Sequence, residues 1–184
     1  MPSSPQPRSV GNVAEFPGSE RPALHPMIAV KLWENPCWFS FRINYLALLF
    51  NLPVYGWIER RYGLVRPEYV VLYSLGLKDG ISANDICLSS GFPKNTLSRA
   101  IQKLLRRRLI RRAADASDRR RYVLRLTAEG RRIVNETLPP MLDRERRMLE
   151  TLNNDEQQVL SKLLAKLVSD SPNWPIQIEQ EESP

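Results

Sequence analysis

The chain is poor in the residues that most catalytic chemistry needs. It has one histidine, His25, and two cysteines, Cys37 and Cys87. Two thiols exclude a disulfide framework and a zinc site held by thiolates. The most basic part of the chain carries no cluster of carboxylates, so it lacks the usual means of holding a catalytic metal beside nucleic acid. The expectation is a protein that is not an enzyme and needs no cofactor and no metal. Long apolar runs are also scarce. The strongest, Ile43 to Ile58, is interrupted by Asn44, Asn51 and Pro53 and flanked by Arg42 and Glu59. That is too short and too polar for a membrane span and reads as a buried helix. No basic stub leads into an apolar segment at the start, so no secretory signal is expected.

Positive charge is what the chain has in excess. Its 184 residues carry a net charge of +7, which favours an acidic partner. The excess is local. Residues 93–132 hold fourteen lysines and arginines against three acids, a net of +11, and the rest of the chain sums to −4. A basic block set against an acidic remainder says more than the overall balance. Asp170, Glu179, Glu181 and Glu182 make the end of the chain acidic.

The punctuation of the chain orders its elements. Six prolines fall within residues 1–28, which show little periodicity and read as a mobile arm. Eleven of fifteen aromatics lie between Trp33 and Tyr73, in a helical region that Pro53 is expected to kink or split. "RPEYVVLYSL" starts a helix with Pro67 in its first turn, and Val71, Leu72 and Leu75 form its apolar face. Ser82 caps a short helix, with Asp85 three residues on, and Gly91 ends it.

"FPKNTLSRAIQKLLRRRLI" is a helix with two faces. At 100° per residue, Leu97, Ala100, Ile101, Leu104 and Leu105 fall together. Asn95, Arg99, Gln102 and Arg106 fall opposite, flanked by Thr96, Ser98 and Lys103. The period then changes to two: "RYVLRL" sets Tyr122, Leu124 and Leu126 against Arg121, Val123 and Arg125. This predicts a short antiparallel hairpin. Thr127 caps the next helix, expected to break at Pro139–Pro140. Asn153 and Glu156 form another capping pair. The helix after it bears a wide stripe of Val159, Leu160, Leu163, Leu164, Leu167 and Val168. Nothing in the chain obviously covers that stripe, which suggests a second subunit.

A short helix, a tight turn and a leucine-anchored basic helix make a helix-turn-helix, and the hairpin makes it winged. Such a helix fits the DNA major groove, where each base pair shows a distinct donor and acceptor pattern. Candidate DNA-binding residues are Lys94, Asn95, Thr96, Ser98, Arg99, Lys103, Arg119 and Arg120. Arg99 suits guanine or a phosphate; Arg106, Arg107, Arg111 and Arg112 suit phosphate or solvent.

"PKNTLSRAIQKLLRRRLIRR" and "DASDRRRYVLRLTAEG" resemble the MarR family of bacterial transcription regulators, over about Leu64 to Leu167. The matched wing pattern is Asp118, Arg120, Leu126, Thr127 and Gly130. The resemblance implies a mostly α fold with a small β-hairpin wing and N- and C-terminal dimerisation helices. It implies a cytoplasmic, nucleoid-associated homodimer on a pseudo-palindromic operator in double-stranded DNA. In it, Arg120 reaches the minor groove and Asp118 holds the wing in position. It suggests a repressor released by a small aromatic or phenolic effector, with Trp33, Trp38, Tyr45, Tyr55 and Trp57 as candidate pocket residues and dimer core as their alternative. A thiol-based redox switch at Cys37 is the rival mode of regulation, although its spacing from Tyr45 and Tyr55 departs from the family's peroxide sensors. Arg108 also departs: it stands where the family has glycine at a helix end. The organisation expected is an arm (1–30), a helical dimerisation region (31–62), a winged helix-turn-helix domain (63–130), C-terminal dimerisation helices (131–170) and an acidic tail (171–184).

Overall fold

The computed structural model describes residues 24–115 and 122–175. The helices are α1 (Pro26–Trp33), α2 (Trp38–Tyr62), α3 (Arg66–Leu77), α4 (Ala83–Ser90), α5 (Lys94–Arg106), α6 (Ala128–Leu149) and α7 (Asn154–Asp170), and α5 and α6 are joined through strands β1 (Ile110–Ala114) and β2 (Tyr122–Leu126). The expected fold class, mostly helical with one antiparallel hairpin, is borne out. Helix α1 begins at Pro26, inside the stretch read as an arm, where His25 caps it by accepting the Met27 amide.

The chain divides into two compact units, with the boundary between Tyr45 and Leu46. In the first, the Arg42 guanidinium lies 5.3 Å from the Trp33 ring and 4.9 Å from the Trp38 ring, and donates to the Leu32 carbonyl at 2.8 Å. The second unit holds the core. Tyr69, Val71, Leu72 and Leu75 of α3 pack with Ile58, Ile86, Leu97, Leu104, Ile110 and Ile133.

Neither set of helix prolines interrupts its helix. Pro53 lies inside a continuous α2, and Pro139 and Pro140 inside a continuous α6. The reason is tertiary. In α6, Ile133, Val134 and Thr137 are buried before the prolines and Met141 after them. Tyr69 of α3 spans the gap: its hydroxyl shares a hydrogen bond with Thr137 Oγ1 at 2.6 Å and lies 3.2 Å from the Met141 sulfur. Burial on both sides outweighs the roughly 3 kcal/mol cost of an interior proline. Gly76 lets α3 approach α6, since a Cβ there would lie 2.7 Å from a Val134 methyl.

The caps read from the sequence all form. Ser82 and Asp85 exchange hydrogen bonds, as do Asn153 and Glu156, and Thr127 Oγ1 accepts the Gly130 amide at 3.1 Å. In the hairpin, Ile110 pairs with Leu126 and Ala114 with Tyr122. The simple alternation fails at the far end. Tyr122 is 69 % exposed and Val123 is buried. Leu124 and Leu126 lie over the core, whereas Tyr122 is at the end of the ribbon farthest from that contact.

Candidate nucleic-acid interface

Helix α5 is held from beneath and bare above. Leu97, Ala100, Ile101 and Leu104 are buried, and each of the three larger side chains contributes roughly 1.5–3 kcal/mol of apolar burial. Asn95, Ser98, Arg99, Gln102 and Arg106 are exposed on the other side. Gly91, at φ 69°, turns the chain from α4 into α5. Pro93 precedes α5 and offers no side-chain cap. The amides of Lys94 and Asn95 therefore point outward from a helix N-terminus, an arrangement suited to a phosphate oxygen.

The end of α5 explains the unusual Arg108. It stands at φ 56°, the left-handed region that favours glycine. The Arg108 amide donates to the Leu105 carbonyl and the Leu109 amide to the Leu104 carbonyl, both at 3.0 Å. These two bonds close the helix in a Schellman turn. They launch β1 directly from the reading helix.

Asp79 fixes the hairpin beside α5. Its Oδ1 accepts the Leu126 amide at 2.9 Å, and its Oδ2 lies 3.3 Å from Arg125 and 3.7 Å from Arg131. Arg125 faces Arg111 across the ribbon, a like-charge pair that repels, and Asp79 offsets that repulsion. Gly80 and Ile81 add a short bridge to Leu124, with the Leu124 amide donating to the Ile81 carbonyl at 2.9 Å. The role of Asp79 depends on three partners about fifty residues away.

The structure brings Lys94 and Ser98 together, with Gln102, on one wall of a cleft of about 310 Å³. Asn84 of α4 and Arg112 of β1 complete it. Asn84 and Arg112 were not candidates for contact with bases, because only the fold sets α4 and β1 beside α5. Asn95 and Arg99 stand exposed on the same helix, and Thr96 is half-buried. The wing-tip candidates Asp118, Arg119 and Arg120 lie outside the described residues.

Two basic side chains also have partners within the chain. Lys103, a DNA-binding candidate, lies 2.7 Å from Glu68, whose side chain is 5 % exposed. The other Glu68 oxygen accepts the Val65 amide at the start of α3. Packing of α3 on α5 buries this carboxylate, and Lys103 neutralises it. Arg107, expected to face phosphate or solvent, donates to the Tyr62 carbonyl at 2.8 Å and the Gly63 carbonyl at 2.9 Å. It thereby caps the C-terminus of α2, where carbonyls lack helical donors.

The aromatic candidates divide between the two units. Trp33, Trp38 and Tyr45 belong to the first, where Tyr45 stacks on Phe41 at 5.5 Å. Tyr55 and Trp57 belong to the second. Tyr55 lies edge-on to Tyr69, with the Arg66 guanidinium 5.2 Å from its ring, and burial pushes its hydroxyl pKa up. Trp57 lines a cleft of about 280 Å³ between α2 and α6, with Pro53, Met141, Arg144 and Arg147. Beside it, Tyr62 donates to Glu136 at 2.8 Å. That bond, with Arg132, holds the Glu136 carboxyl below its usual range. Cys37 is exposed and Cys87 half-buried. Among the described residues, no helix is long and apolar enough to cross a membrane.

Comparison with known proteins points the same way. A family model described as the MarR family matches residues 62–121. The transcriptional regulator HosA of Escherichia coli is 28 % identical over 124 residues, which cover 67 % of this chain and 92 % of HosA. The crystal structure of a MepR–DNA complex from Staphylococcus aureus superposes with a TM-score of 0.62 at 22 % identity, covering 72 % of this chain and 95 % of MepR. The PcaV regulator of Streptomyces coelicolor, solved with its natural ligand, gives a TM-score of 0.58 at 24 % identity, covering 76 % of this chain and 96 % of PcaV.

Proposed function

We propose that this chain, which is similar to the MarR family over residues 62–121, is a transcription regulator of that kind with a DNA-binding winged helix-turn-helix, and that it works as a homodimer on a pseudo-palindromic operator. The observation that carries the reading is α5: four buried positions hold it, and Asn95, Ser98, Arg99 and Gln102 are left uncovered. Lys94, Asn95 and Ser98 position the helix on the phosphates, while Arg99 and Gln102 meet base edges. Two copies present two such helices about one duplex turn apart, roughly 34 Å. The uncovered stripe of α7 supports the dimer, with Val159, Leu163 and Val168 exposed. The protein then acts beside the nucleoid in the cytoplasm, where its operator is.

The regulator is a repressor relieved by a small aromatic effector. The site that supports this best is the cleft lined by Trp57, Met141, Arg144 and Arg147, which offers an aromatic wall and the terminal guanidinium nitrogens of Arg147, whose Nε is taken by Asp143. The cleft retains Trp57 from the aromatic set and replaces the others by residues of α6. An effector acts only through its different affinity for the DNA-competent and DNA-free arrangements. A thiol switch at Cys37 is the second reading, favoured by the exposure of that residue.

The test is selection of bound fragments from the native genome, followed by titration of the recovered duplex. Affinity is expected to fall with salt on a log–log slope of about −5 or steeper. Indifference to every duplex at low ionic strength would end the reading. Small aromatic acids that release the duplex support the effector, and Trp57→Ala is expected to weaken that response. Loss of binding on peroxide treatment, absent in Cys37→Ser, would promote the thiol switch instead.

A further inference from the structure

Pro53 removes a hydrogen bond from the middle of α2. It has no N–H, so the Leu49 carbonyl four residues earlier loses its helical donor. Such a position ordinarily turns to water, and the helix bends there. Here a side chain from another helix takes the place. Arg144 of α6 donates through Nε to the Leu49 carbonyl at 3.2 Å, and a terminal guanidinium nitrogen donates to the same oxygen. The neighbouring Arg146 and Arg147 are both occupied by Asp143. Among the described residues Arg144 makes no ion pair, so its guanidinium is committed to this carbonyl.

We infer that Arg144 is a positioning residue that replaces the bond Pro53 removes and latches α2 to α6. The latch borders the cleft that Pro53 and Arg144 both line. A second arginine holds the other end of the same segment, for Arg107 at the end of α5 donates to the carbonyls of Tyr62 and Gly63. Both arginines use carbonyls that no helical amide reaches. The stretch from Leu49 in α2 to Gly63 just beyond it is therefore fastened at one end to α6 and at the other to the end of α5. Loosening the first fastening weakens the support of the second.

The test is a double-mutant cycle. In Pro53→Ala the new amide donates to Leu49, and Arg144 becomes dispensable. Arg144→Met in the native background is expected to speed hydrogen exchange of the amides in residues 46–57 by about tenfold. It is also expected to weaken binding to the selected operator several-fold. Arg144→Lys, which keeps one charged donor, recovers part of both. In the Pro53→Ala background, Arg144→Met is expected to change neither. An equal loss in both backgrounds, or no loss in the native one, overturns the latch. Faster exchange with unchanged operator affinity overturns the positioning role. The affinity arm rests on the DNA-binding reading, while the exchange arm does not, so failure of one is distinguishable from failure of the other.

Discussion

Arg99 and Lys103 sit one turn apart on α5 and serve different ends. Arg99 is exposed, whereas Lys103 neutralises the buried Glu68. Arg99→Ala is expected to cost about 1–3 kcal/mol of operator affinity and to relax base preference, with thermal stability unchanged. Equal loss on every sequence would assign Arg99 to phosphate. Lys103→Met is expected to cost about 1–2 kcal/mol of stability in denaturant unfolding, the value for an isolated buried charge reduced because Lys103 is half in solvent. Arg108, held in the left-handed region, predicts the opposite sign: Arg108→Gly is expected to raise stability by about 0.5–1 kcal/mol. Tyr69 sets an alkaline limit. Burial pushes its phenol up to about 12 from the ordinary 10, so the folded state prefers the neutral form. That stability is fully present below about pH 10 and is lost as pH rises towards 12, a change of roughly 2 kcal/mol. In Tyr69→Phe the unfolding free energy is expected to fall less steeply across that window.

At the scale of elements, the joint between hairpin and α6 has the least room. A Cβ on Gly130 would lie 2.1 Å from the Leu109 carbonyl oxygen. Thr127 also donates its amide to that carbonyl at 3.1 Å. Gly130→Ala must push α6 away from the end of α5 and is expected to lower stability by about 2–4 kcal/mol. Calorimetry together with operator titration checks this; unchanged values in both would mean the joint yields freely. The elements legible in advance were those whose determinants are local. Ser82 with Asp85, Thr127 with Gly130, and Asn153 with Glu156 each act within one turn of chain. Pro139 and Pro140 were misread as a break, and Pro53 does not split α2, because what compensates for them, Arg144, Tyr69 and the packed α3, comes from distant sequence.

For the whole molecule, the telling feature is apolar surface that one chain leaves bare. No residue of α7 is buried, and Leu163 is 57 % and Val168 70 % exposed. A stripe of that width costs solubility unless covered. Leu163→Glu is expected to shift the protein towards monomer in light scattering and to reduce operator affinity at least tenfold, since a single reading helix loses its tethered partner. A monomeric native protein at micromolar concentration would refute the dimer.

The amino-acid sequence by itself determined the helical and alternating periods, the caps, the bare face of α5 and the order that makes a winged helix-turn-helix. Each of these depends on residues within a few positions of one another. Tertiary structure alone decided what individual charges are for. Lys103, Arg107 and Arg144 are alike on paper, yet one neutralises a buried acid, one caps a helix and one replaces a missing amide. An ionic side chain takes its role from the groups within a few ångströms of it, and those neighbours are set by packing between distant segments.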